Sequence, residues 1–156
     1  MSSLLMLKSD LQKLANPEKA EILARFFKTG KGQYDEGDIF LGVMVPGQRR
    51  IAKKYSGLSL RDVRELLSSG THEHRLVALF ILVQKYKKAD SLNKKVIADF
   101  YLKHTRQINN WDLVDLSQEI SLEIIFSIKT GLYFTGLRGH GTSGKGGSLS
   151  CRHMHL

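Results

Sequence analysis

Between Leu4 and Leu116 apolar residues recur at three- and four-residue spacings and nowhere alternate with polar ones as a half-buried strand requires. The punctuation between these stretches is helical too. Asn16-Pro17-Glu18 is a start signal: a capping Asn, Pro at the first helical position, then an acid near the positive helix end. Ile22, Leu23, Phe26 and Phe27 follow at helical spacing, and Thr29 to Gly42 is loop-like. Pro46 opens a short helix that Gly57 closes. Ser59 caps the next, with Leu60, Val63 and Leu67 on one face, and Gly70 ends it. His72 to Lys88 is the most hydrophobic stretch, apolar on most sides and so expected to be buried. Ser91 is expected to cap a helix with Leu92, Val96, Phe100 and Tyr101 inward, and Asn109-Asn110 a final one beginning at Trp111. The fold class is therefore all-α. Short, sequential, paired helices argue an α-solenoid or an irregular bundle, and no fixed repeat period separates the two.

A chain of 156 residues can bury a real core as one domain. The single cysteine, Cys151, excludes a disulfide framework and a Cys-rich zinc site. No apolar run approaches the ~18–20 residues of a membrane span. The opening Met1-Ser2-Ser3-Leu4-Leu5-Met6-Leu7-Lys8 has neither a basic n-region nor a cleavage site, so no signal peptide is read and a cytoplasmic location is expected. A net charge of +9 makes a polyanion the leading partner class. That charge belongs to the front of the chain, where residues 1–117 carry a net of +7. Glycine belongs to the end: seven of the 14 fall after residue 130.

The basic residues come in pairs: Arg49-Arg50, Lys53-Lys54, Lys87-Lys88 and Lys94-Lys95. Arg49 with Lys53, and Arg50 with Lys54, are i, i+4 neighbours on the short helix, a spacing suited to a row of phosphates and equally to a solvated face. His72 and His74 face different sides of a helix and no third ligand is evident, so no metal site is expected. Glu73 beside them reads as an acid interacting with the positive helix end. Trp111 and Asp115 share one helix face at i, i+4. The bland reading is a core Trp with capping acids. The sharper one is an aromatic surface beside an anionic group, which suits a cationic, planar target.

At Asn109-Asn110-Trp111-Asp112-Leu113-Val114-Asp115-Leu116-Ser117 the chain resembles the DNA alkylation repair family, the AlkD-like DNA glycosylases built from HEAT-like helical repeats. Two upstream stretches agree: Phe40-Leu41-Gly42-Val43 with Val45-Pro46 and Arg49-Arg50, and Gly70-Thr71-His72-Glu73-His74-Arg75 with Ala78-Leu79. The likeness covers residues 1–117, about half of a usual family member. It implies a curved α-α superhelix whose basic concave face holds duplex DNA, acting without cofactor as a monomer on cationic N3- or N7-alkylated purines. The family's Trp and Asp of this helix fall on Trp111 and Asp115, and a further family aromatic on Tyr34. The resemblance implies phosphate contacts from Arg49, Arg50, Lys53 and Lys54. The alternative, in another class, is a non-catalytic helical-repeat module that binds DNA or protein.

Residues 118–156 depart from that pattern. The family's second half supplies another Trp and Arg residues, partly through a Leu-Trp-Glu-Arg-Arg stretch that is not written here. Yet joining the last base of each codon from Ser143 to His155 with the first two of the next permits Trp-Glu-Arg-Arg-Ile-Ala-Ile-Val-Ser-Thr-His-Ala. The expectation is a tail translated in the wrong frame, with poor activity and low stability in the chain that carries it; the alternative is a flexible basic extension. Coding DNA in which no one-base shift after the Ser117 codon restores Trp-Glu-Arg-Arg would end the frame reading.

Overall fold

The computed structural model describes residues 2–27, 31–32, 36–108, 111–118, 120–122 and 126. These form seven α-helices: α1 (Ser3–Lys13), α2 (Pro17–Phe26), α3 (Val45–Lys54), α4 (Leu60–Leu67), α5 (His72–Lys88), α6 (Ser91–Lys103) and α7 (Trp111–Leu116). A 3-10 turn, Thr105–Gln107, precedes α7. Among the described residues there is no strand, only an isolated parallel bridge between Ile39 and Thr71. None of the described helices is long and apolar enough to cross a membrane.

The helix starts follow the local chemistry. The Asn16 side chain accepts from Lys19 N at 3.0 Å with Pro17 next, and the Ser59 hydroxyl accepts from Asp62 N at 3.2 Å. Helix α3 begins at Val45, with Pro46 in its first turn and no side-chain cap. Helix α6 corrects two expectations. Its cap is Asp90, whose carboxylate accepts from Asn93 N at 2.8 Å, and Ser91 is the first helical residue. Its buried face is Ile97, Ala98 and Tyr101, while Leu92 and Val96 are exposed. A continuous apolar stripe one residue wide on either side leaves the inward direction to packing, and α5 selects the Ile97 side. Helix α2 likewise exposes Ile22 and Phe26.

Helix α5 is the axis of the molecule. Leu76, Val77, Ala78, Leu79, Ile81 and Leu82 are all within 1% of full burial, on every side of the helix. It packs against α3, α4, α6 and α7, and α1 closes over α3. Such all-round burial is what its sequence demanded.

The loop before α3 is fastened to the start of α5. Ile39 N donates to Gly70 O at 3.0 Å and His72 N to Ile39 O at 2.9 Å. Glu73, fully buried, accepts from three consecutive backbone N–H groups: Leu41 at 3.0 Å, Gly42 at 2.9 Å and Val43 at 3.3 Å. Glu73 stands in the first turn of α5, where a helix-end interaction is expected, and adds this staple to it. Gly42 sits at φ +77°, and a Cβ there would stand 2.1 Å from the Asn16 carbonyl oxygen. Only glycine lets the loop run this close to the start of α2.

Ser117 and Ile120 are fully buried, and the Tyr101 hydroxyl meets Ser117 Oγ at 2.9 Å and Ser121 Oγ at 3.0 Å.

Candidate nucleic-acid interface

Three helices contribute to one cleft. Helix α3 supplies Arg49 and Lys53, which its i, i+4 spacing places on the same side. Helix α5 supplies Phe80, Val83, Gln84 and Lys87, again one helical face. Helix α7 supplies Asp115 and Leu116, and Gln118 follows. The cleft they line measures about 370 Å³. Its floor is apolar, since Phe80 and Val83 are buried, and its rim is charged, with Arg49, Lys53, Lys87 and Asp115 exposed. The Arg49 guanidinium lies 4.5 Å from the Phe80 ring centroid, a cation–π contact that leans it from the rim over the apolar floor.

Arg50 and Lys54 stand on the adjoining row of α3 and do not line the cleft. Lys54 Nζ donates to Asp10 Oδ2 at 2.6 Å, and the Tyr55 hydroxyl donates to the same oxygen at 2.7 Å. The Lys54 hydrogen bond above all, then those of Tyr55 and Lys13, holds the Asp10 carboxyl well below the usual carboxylate range, and the Asp10 bond raises the Lys54 ammonium. Lys54 thus joins α3 to α1. Trp111 is the first residue of α7; its side chain, like all of Tyr34 and the expected Asn109-Asn110 cap, lies outside the described residues.

Lys87 is half of the basic pair Lys87-Lys88 that the sequence offers to phosphates, whereas neither spacing nor the resemblance marks Gln84. The signal lies in the spacing 80, 83, 84 and 87 along α5, but in a helix buried nearly all round no local pattern marks the one face left open.

The two histidines diverge as their spacing requires. His74 Nδ1 meets Ser69 Oγ at 2.9 Å, and burial first, then Lys8, pushes the His74 pKa down. His72 is buried and reaches the other way, its Nε2 3.2 Å from Asp112 Oδ2 on α7. Among the described residues no three His, Cys, Asp or Glu side chains gather closely enough to hold a metal ion.

The cleft thus sets a carboxylate among three cations, on the helix bearing Trp111-Asp112-Leu113-Val114-Asp115. A family model described as DNA alkylation repair enzyme matches residues 7–128. The chain belongs to this family. The match begins within α1 and spans the six helices that follow. No curated protein and no solved structure matches the chain. Membership makes DNA the substrate class.

Proposed function

We propose that the chain is a DNA glycosylase of HEAT-like architecture that excises cationic N3- or N7-alkylated purines from duplex DNA. The observation that carries the reading is the placement of Asp115 in one cleft with Arg49, Lys53 and Lys87. Phosphates flanking a lesion would pair with the three cations, which brings the deoxyribose between them to the carboxylate.

The chemistry suits this set of groups. An N3- or N7-alkylated purine already bears a positive charge, so it departs as a neutral base without a general acid. The charge left behind develops on the sugar as an oxocarbenium ion. A carboxylate fixed beside it stabilises the transition state more than the ground state, and the same oxygens orient the attacking water. Trp111, one turn before Asp115, supplies an aromatic surface to the cationic base or sugar.

The test is base release from duplex DNA carrying 7-methylguanine or 3-methyladenine. Asp115→Asn should lower the rate on the order of 10²-fold while leaving DNA affinity intact. Equal rates for the two proteins would overturn the role of Asp115. DNA binding without base release, in this chain and in one whose reading frame is restored, would favour a non-catalytic binding module.

A further inference from the structure

Asp115 stands on a helix of six residues, too short to hold its own orientation. Leu113 and Ile120, both fully buried, fix its depth. A polar tie reaches α7 from α5. Asp112 Oδ2 lies 3.2 Å from His72 Nε2, and since a carboxylate only accepts, the imidazole N–H donates. His72 is itself held by the rings packed on it. Its ring stacks on Phe40 at 4.7 Å and 23°, with Phe27 at 5.3 Å. Its Nδ1 makes no hydrogen bond; the nearby Asp38 carboxylate, 3.8 Å away, accepts from Arg75 instead. The side chain is 4% exposed, while Asp112 is 22% exposed. A rigid donor set in the core thus grips a carboxylate at the edge.

We propose that His72 is a positioning residue for Asp115. By holding Asp112 it sets the rotation of α7 about its axis, and with it the direction in which Asp115, three residues on, enters the cleft. The proposal rests on the reading of Asp115 as the catalytic carboxylate. It also gives a purpose to a polar side chain in an otherwise aromatic layer, where a phenylalanine would pack as well.

That substitution is the test. His72→Phe keeps the ring and its stack and removes the Nε2 donor; His72→Gln gives up the ring and keeps an N–H at that reach. Trp111 is the only tryptophan of the chain and adjoins Asp112, so its quenching by acrylamide reports on the start of α7 without DNA. In the full chain, His72→Phe should raise that quenching about twofold with unchanged helical circular dichroism. It should lower kcat for base release about 10- to 100-fold at unaltered affinity for DNA, as a misplaced catalytic group does. His72→Gln should recover most of both. Should His72→Phe fail to fold, Asp112→Ala cuts the same tie from its exposed end and should show the same two changes. Wild-type quenching and turnover in both variants would overturn the proposal, as would a loss confined to DNA affinity or a His72→Gln no better than His72→Phe. A quenching shift with rescue, in a protein that releases no base even with its reading frame restored, would leave the tie standing and refute the catalytic reading of Asp115 instead.

Discussion

Replacing Glu73 with alanine should be among the most damaging single changes available in this chain. The carboxylate accepts three backbone N–H groups, Gly42 and Val43 on Oε1 and Leu41 on Oε2. The two bonds to Oε1 are buried, while Leu41 is half-buried and open to water once released. A buried donor left without a partner costs ~1–3 kcal/mol, so two of them, together with the packing that truncation removes, put Glu73→Ala at about 3–5 kcal/mol. Glu73→Gln is the informative control. Its single carbonyl oxygen can keep Gly42 and Val43, and its amide meets the Leu41 N–H donor to donor, which puts the loss at about 1–2 kcal/mol. Urea unfolding followed by circular dichroism measures both, and an unchanged m-value shows that the denatured state is not what changed. At this chain length the alanine variant should also melt about 10–15 °C lower. A Glu73→Ala loss below about 1 kcal/mol would refute the reasoning, because it would mean water or a rearranged loop satisfies those donors at no cost.

Three further outcomes are expected. Gly42→Ala should destabilise at least as much as Glu73→Ala in the same urea assay, since its Cβ would meet the Asn16 oxygen at 2.1 Å and Ala20 N at 2.6 Å, both backbone atoms. Converting Arg49, Lys53 and Lys87 together to alanine should flatten the plot of log DNA affinity against log salt by about 2–3, whereas Arg50→Ala should leave the slope nearly unchanged; fluorescence anisotropy with a labelled duplex decides this. Asp10 has a folded-state pKa below its unfolded value, so its contribution is present above about pH 4 and is lost as the pH falls below that. Asp10→Asn should therefore unfold more readily than the parent at neutral pH, with the gap narrowing steadily as the pH falls below about 4 in parallel thermal melts.

Local signals made most of the helices legible. Asn16-Pro17 and Ser59 cap as their chemistry directs, and the apolar run from His72 to Lys88 is the buried axis. The motif residue Asp115 and the pair Arg49 and Lys53 meet in one cleft although 62 or more positions separate them. What stayed hidden was relational. Glu73 reaches back some thirty residues to its staple and His72 forward forty to Asp112, and no window of sequence contains both ends. The inward face of α6 was hidden for a different reason: Val96 and Ile97 are adjacent and equally apolar, so only the shape of α5 chooses between them. Lys54 is a third kind, a cation whose neighbours on α3 gave no hint of Asp10 on α1.

The seating of Arg49 over Phe80 bears on the thermodynamics of the cleft. A long side chain that must be frozen when its ligand arrives forfeits roughly 0.5–1.5 kcal/mol of rotamer entropy at that moment. Here the aromatic ring beneath the guanidinium restricts the side chain already during folding. An incoming anion therefore meets a charge whose direction is preset, and its binding enthalpy is offset by less disorder lost. Lysine at this position would keep the charge and forgo the stacking, so the difference between the two should surface in the entropy of association.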